Sequence, residues 1–359
     1  MNSSFTAHRV CFVAAPLTAR TGVYRSAREL VSEARRVGLD WSLVLGISRH
    51  AKGKPPLDDP PWITEIATEP RGLGGIKELR STLLSMPMVS SSEVVVSLIP
   101  QTDMALSLTN LRWVAYLRGL PWPDKGEASE VRRRLWRGLE RQALKQASGI
   151  WATTPMLRDH ANLSREVPIV PAGLAPVIRS WDGTGARDRV VWAARYDTDK
   201  NPLLFLDAMR GSNLRGVMYG SGPLEAELRR LAPPNVEVAG WVDSSRIWEG
   251  ALAYAGTSFR EAFGRSAVEA AMSGIPVVLA NSFGAAPLIV REDAFRKRFV
   301  LPPDDPSAWA EAFSDLAGDT VLRERFSDHV AENGAKLTVA ESVAAISAAL
   351  DDRGWRSTV

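Results

Sequence analysis

The stretch SFREAFGRSAVEAAMSGIPVVLAN, residues 258–281, passes from a loop through a helix into a strand. Glu261 lies in the loop, the helix begins near Gly264, and Glu269 follows Glu261 by eight positions, inside the helix. Gly274 and Pro276 then end the helix and lead into the apolar run VVLA. Strand, loop, helix and strand in that order make the repeating unit of a parallel sheet. A helix start exposes unpaired N–H groups and the positive end of the dipole, a natural seat for phosphate. Two carboxylates beside it accept hydrogen bonds from hydroxyls. The pattern fits a site for a phosphorylated polyol, and from spacing alone it fits equally a solvated helix with two unrelated glutamates.

The same rhythm extends in both directions. RVCFVAA, WSLVLG, EVVVSLI, RWVAYL and GIWATT read as strands in the first half, with helical patterns near 23–37, 75–88 and 128–147. SWDGTGARD, residues 180–188, breaks the alternation with two Gly and no apolar period, and reads as a linker. Beyond it RVVWAA, RGVMYG, NVEVAG, LAYAG and IPVVLA restart the strands. The last 50 residues hold helical patterns at 307–317, 320–333 and 338–351 that either pack on the outside or cross back to the first domain. The fold class is therefore α/β, with two Rossmann-like doubly wound domains facing a cleft. The expected boundaries are 1–180, a linker at 181–188, 189–335, and a C-terminal helix in 336–359.

A chain of 359 residues accommodates two such domains. Its 45% apolar and 24% charged residues exclude disordered and fibrous classes. The single Cys11 forms no intramolecular disulfide, and four scattered histidines give no zinc-ligand spacing. Residues 1–182 carry 24 basic and 17 acidic side chains, net +7, whereas 183–359 carry 20 and 24, net −4. Different partners are expected for the two halves, and nucleic acid is not among them. No uncharged apolar run reaches the roughly 18 residues of a membrane span. VCFVAAPL at 10–17 reads as a buried first strand rather than a signal-peptide core, so a cytoplasmic location is expected.

The 258–281 stretch closely resembles the E-x7-E motif of the retaining glycosyltransferases of family 4, which have the GT-B fold. VVWAARYDTDKNPLLFLDAM resembles the strand, basic loop and helix that open that family's C-terminal domain, and MYGSGPLEAELRRLA its glycine-rich turn. VEVAGWVDSSRIWEGALAYAGTS, VPIVPAGL and TGVYRSARELVSEARRVG match further segments in the right order. The resemblance implies a GT-B enzyme that moves a sugar from a nucleotide diphosphate donor, UDP- or GDP-linked, to an acceptor hydroxyl. It implies retention of configuration, a front-face mechanism, and no metal or other cofactor. The N-terminal domain would take the acceptor, a glycan, a lipid-linked molecule or a small molecule.

By the same resemblance Arg195 and Lys200 match the basic pair on the donor diphosphate, and Glu269 the carboxylate on the ribose. Glu261, with Ala262, Phe263, Gly264 and Arg265, matches the segment that holds the sugar and phosphate. Gly22 matches the loop that approaches the donor, and Gly240, Trp241 and Val242 the neighbourhood of the base, although Trp241 equally suits core packing. Departures mark the first half. Arg118 stands about where many members have a histidine, as a catalytic-site candidate or as a structural Arg beside Trp122. Ala172-Gly173 replaces the usual Asn-Gly, and Thr21-Gly22 the usual glycine pair.

Other motifs carry less. Asp197-Thr198-Asp199 spells the D-x-D of metal-dependent glycosyltransferases of the other fold, but lies between Arg195 and Lys200. In Gly220-Ser221-Gly222, Glu225 takes the place of a third glycine. His160 and His329 read as surface residues. In the helix expected over Glu130–Ala147, Val131, Leu135, Leu139 and Leu144 would face the core. Arg134, Arg137, Arg141 and Lys145 would form either a solvated stripe or a peripheral contact with an anionic membrane. A non-catalytic nucleotide-sugar-binding or scaffold protein is the main alternative. A nicotinamide-dependent oxidoreductase is a second.

Overall fold

The computed structural model describes residues 8–20, 22–53, 58–69, 72–119, 129–176, 187–243 and 246–352. It divides into one unit of Met1–Ala175 with Val339–Val359, and a second of Pro176–Thr338. Most of the expected linker, 181–186, lies outside the described residues.

In unit 1 the strands are β1 (Val10–Ala19), β2 (Trp41–Lys52), β3 (Ile63–Ala67), β4 (Val94–Ser97), β5 (Trp113–Leu117) and β6 (Gly149–Ala152). They form one sheet in the order β3-β2-β1-β4-β5-β6. Every pairing is parallel, with Val10 opposite both Trp41 and Val94. Strands this apolar are what a sheet covered on both faces requires. The helix Val23–Arg36 covers one face through Ala27, Leu30, Val31 and Ala34, at helical spacing. The C-terminal helix Val339–Asp351 belongs to this unit, its Val343, Ile346 and Leu350 joining the core cluster of Phe12, Trp41 and Val96. Its ends are tied by the Val339 amide donating to the Leu174 carbonyl at 2.8 Å and by Asp351 meeting His8 at 3.1 Å.

Unit 2 repeats the plan with β7 (Arg189–Ala193), β8 (Arg215–Tyr219), β9 (Val236–Gly240), β10 (Ala251–Gly256), β11 (Val277–Ala280) and β12 (Val300–Leu301). Their order is β12-β11-β10-β7-β8-β9, again wholly parallel. In both sheets the strand order reverses beside the first strand, between β1 and β4 and between β7 and β10. Such a switch point opens a crevice at the carboxyl ends of the strands.

Two expectations are corrected. In the helix Glu130–Leu144, Val131 is 79% and Leu135 59% exposed, while Ala143 and Leu144 are buried. At about 100° per residue Leu144 lies roughly 140° around the axis from Val131, so the four apolar positions never formed one stripe. His329 is largely covered rather than on the surface. Its Nε2 accepts from the Arg291 amide at 3.0 Å, and its ring lies 5.1 Å from that of Phe295.

Unit 1 also holds two carboxyls, buried Asp103 and half-buried Glu140, where helix Pro100–Leu106 packs near Glu130–Leu144. Burial pushes Asp103 up to about 8 and Glu140 up to about 7. Asp103 Oδ1 has no hydrogen-bond partner among the described residues. Because native Asp103 holds its proton where the unfolded chain has lost it, stability falls as pH rises from about 4 to about 8. Asp103→Asn should therefore flatten this slope and raise the melting temperature at pH 8 by several degrees, with little change at pH 4. Calorimetric melts at the two pH values check this.

Candidate functional site

Two loops leave the carboxyl ends of β7 and β10 and are clamped together at the switch point of unit 2. The buried Trp192 indole donates to Thr257 Oγ1 at 2.8 Å, and that hydroxyl donates to the Lys200 carbonyl at 2.8 Å. The Phe259 amide donates to the Asp199 carbonyl at 3.0 Å. Across this clamp Lys200 Nζ reaches Glu261 Oε2 at 2.9 Å and Asp199 at 3.3 Å. Lys200 is only 14% and Glu261 24% exposed, so the pair is screened less than a surface ion pair. Arg195, in contrast, is 65% exposed and leans on Asp197 at 2.8 Å and Asp199 at 3.4 Å. The D-x-D carboxylates are thus engaged by Arg195 and Lys200, and Asp197 also accepts from the Thr198 amide at 2.8 Å.

Glycines decide how closely these loops approach. Gly264 has φ +96° and starts the helix Arg265–Met272; a Cβ there would enter the Phe283 ring. The Glu261–Gly264 turn is pinned on the next loop by the Gly284 amide to the Glu261 carbonyl and the Ala285 amide to the Phe263 carbonyl, both 2.9 Å. Gly220 and Gly222 have no room for a side chain because the backbone of Ala194 and Tyr196 lies against them. The Tyr196 amide donates to the Ser221 carbonyl at 3.0 Å, and buried Tyr196 donates through Oη to the Met218 carbonyl at 2.8 Å. The G-x-G turn is the bed of the Arg195 loop.

Below the helix start, burial pushes the Tyr254 phenol up, and the carboxylates of Glu261 and Glu269 add to the shift. Both glutamates therefore act on one buried ring, Glu269 from the half-buried face of the helix. Ala262 and Arg265 are half-buried beside buried Phe263. Gly240 ends β9 with φ +82°, its carbonyl accepting from the Gly220 amide at 2.9 Å. Trp241 is 76% exposed, which rules out the core-packing reading, and Val242 is half-buried.

Two expected residues belong to unit 1. Gly22 caps the helix Val23–Arg36 at φ +52° with open space where a Cβ would stand; its neighbour Thr21 lies outside the described residues. Arg118 follows β5, its guanidinium 5.2 Å from the ring centre of buried Tyr116, whereas Trp122 lies outside the described residues. Residues missed from sequence are Thr257, Tyr196 and Phe283. Only Tyr196, a bulky aromatic inside a polar loop, carried a visible signal.

Residues 187–319 match the family model of the glycosyl transferases group 1. A D-inositol 3-phosphate glycosyltransferase of Corynebacterium glutamicum is 31% identical over 189 residues, 45% of this chain and 43% of that one. The chain spans less than half the length of the curated relatives it matches. Among solved structures, sucrose-phosphate synthase from Thermosynechococcus elongatus has a TM-score of 0.74 at 16% identity, over 95% of this chain and 97% of that one. Anabaena HepE, solved with UDP and glucose, has a TM-score of 0.67 at 16% identity over 95% and 98%. With two parallel six-stranded sheets the chain has the GT-B fold, and its segment 187–319 is similar to the glycosyl transferases group 1.

Proposed function

We propose that the chain transfers a sugar from a nucleoside diphosphate donor to an acceptor hydroxyl, with retention of configuration and without a metal. The observation that carries this reading is the Lys200–Glu261 pair at the start of the helix Arg265–Met272, with Arg195 beside it. The leaving diphosphate gains negative charge as the glycosidic bond breaks, and fixed cations with unpaired N–H groups stabilise that charge. Arg195 is exposed and only loosely held by Asp197 and Asp199, so a diphosphate can displace those carboxylates at small cost. Lys200 is held by Glu261 and keeps its place as the donor arrives. Glu269 takes the ribose hydroxyls. The acceptor hydroxyl attacks on the face the diphosphate leaves, and the leaving oxygen takes its proton, so no side-chain nucleophile is required. Arg118 is assigned to the acceptor side in unit 1.

Arg195→Ala and Lys200→Ala should each cost about 2 to 4 kcal/mol of transition-state stabilisation in a donor-hydrolysis or transfer assay. In that assay Asp197→Ala should stay active, with or without chelator; rescue of a chelated enzyme by a divalent ion would overturn metal independence. Undiminished turnover in either cation variant would overturn that residue's assignment, and absence of nucleotide release by wild type would favour the non-catalytic alternative. Glu269→Ala should weaken nucleoside diphosphate binding by roughly 1.5 to 3 kcal/mol, as read by calorimetry.

A peripheral membrane contact on the inner, cytoplasmic face is a second element of the proposal, supported by the exposed Val131 and Leu135. They share an outward face of their helix with Arg134, the mixture of apolar and basic groups that suits an anionic lipid interface. No helix among the described residues is long and apolar enough to cross a membrane. Wild type should co-sediment with anionic but not neutral vesicles at low salt. Val131→Gln with Leu135→Gln, and the fourfold change of Arg134, Arg137, Arg141 and Lys145 to Gln, should each abolish this.

A further inference from the structure

The sheet of unit 1 is also hollowed at the edge where its strands begin. A cavity of about 280 Å³ runs across the amino ends of four strands, lined by Trp62 before β3, Ser42 in β2, Arg9 before β1 and Ser92 before β4. That is near the roughly 300 Å³ at which small-molecule sites begin. Along β1, its Val10 wall is six residues from Pro16, about 20 Å at the rise of a strand. A single sugar ring bound at this edge does not reach the crevice at the carboxyl ends.

One wall is a preorganised pair of donor and acceptor. Arg35 Nε donates to the Trp41 carbonyl at 2.6 Å, Nη2 meets Asp40 Oδ1 at 2.7 Å, and the guanidinium lies 5.5 Å from the Trp62 ring centre. Three contacts fix this head, so little side-chain entropy is left to lose when a ligand binds. The Asp40 side chain remains 52% exposed and accepts further hydrogen bonds. Half-buried Trp62 gives the cavity an apolar ring, and its Nε1–H is buried with no hydrogen-bond partner among the described residues. A buried donor left without a partner costs stability, and an acceptor placed in the cavity relieves that cost. The Ser42 hydroxyl donates to the Val10 carbonyl only at 3.4 Å, a long bond that it exchanges easily.

The cations at this edge are already balanced. Arg35 has Asp40, and Arg9 faces Glu93 at 3.8 Å, a carboxylate that also meets His8 at 3.1 Å. Met1–Ala7, which precede them outside the described residues, contain no charged side chain. Arg35 belongs to the last turn of Val23–Arg36, and Ser91 caps Pro87–Ser90 at its C-terminal end. The helix ends beside the cavity therefore offer carbonyls, not N–H groups, and an anion gains nothing from them.

We propose that this amino-edge cavity is a second binding site, for one neutral sugar ring of a glycan, separate from the proposed transfer site. Asp40 accepts from one ring hydroxyl, Arg35 donates to its neighbour, and Trp62 packs the C–H face of the ring. A ring held here ties a longer glycan to the protein at a second point, which raises avidity without touching the reacting atoms. The inference stands on this lining and not on the transfer reaction.

Indole-¹⁵N labelling of the full chain, with Trp62→Phe to assign the signal, reads the site by NMR. Methyl α-glucoside, methyl α-mannoside and methyl α-galactoside are titrated to about 50 mM, beside inorganic phosphate and acetate. At least one glycoside should shift the Trp62 signal saturably, and neither anion should. Ser91→Phe, which fills the cavity from its exposed side, should weaken the response about tenfold or more, and Asp40→Asn about threefold or more, each folded as its melting curve shows. The proposal is overturned if no glycoside moves the Trp62 signal, or if an anion moves it at a lower concentration than every glycoside does. It fails equally if the folded variants respond as wild type does. Donor hydrolysis should be unchanged in Ser91→Phe, so loss of the amino-edge site and loss of the transfer reaction are read separately.

Discussion

The hydroxyl of Thr257 carries the geometry of unit 2. It receives a hydrogen bond from a tryptophan inside the sheet and passes one to the Lys200 backbone, so the loops after β7 and β10 cannot move independently. The bond from Trp192 is buried and the one to Lys200 part-buried, and away from water a hydrogen bond is stronger and its loss costlier than at the surface. The Lys200–Glu261 pair is a consequence of the clamp. Two long side chains held at 2.9 Å need anchored backbones, or conformational entropy cancels most of the attraction. Phe283 provides the second anchor by filling the space beside Gly264, which leaves the turn before the helix a single way to run.

The cations that face the expected donor differ for the same reason. Lys200 lies inside the clamp, its charge balanced by two carboxylates already at contact distance. Arg195 stands on a loop braced by the Gly220-Ser221-Gly222 turn, but its own head is in solvent. One cation is preorganised and the other adaptable, a division that under the proposed function suits an anion that must both bind and leave.

Most of the architecture was legible because its signals are local. Apolar runs bounded by turn residues gave β1, β2 and β4 to β11, and helical periods gave Val23–Arg36 and the last three helices within a few residues. β3 escaped because ITEIA is short, half-polar and follows Pro60 and Pro61; β12, with two residues, has no periodicity to detect. The helix Glu130–Leu144 was misoriented for a different reason. Its apolar positions were matched by approximate spacing, and the error accumulated around the axis until Leu144 faced nearly opposite Val131. At the candidate site, Arg195, Lys200, Glu261 and Gly264 stand out in sequence through their motif, whereas Thr257 and Phe283 do not. Their roles depend on contacts with Trp192 and Gly264 that have no counterpart in sequence order.

The two sheets share a strand order, so topology places a crevice at each switch point without choosing its ligand. At β7 and β10 the crevice meets Lys200, Arg195 and a helix start, whereas in unit 1 Glu69, Glu78, Gln101 and Trp136 line a pocket that reaches to the β3 edge. The net charges of the two halves do not follow the local chemistry: +7 in the first half and −4 in the half with the basic loop. Summed charge governs what approaches a surface over a Debye length of about 8 Å, whereas recognition inside a crevice is set by the few groups that touch the ligand. A half of net charge −4 can thus still present Lys200 and Arg195 at its switch point.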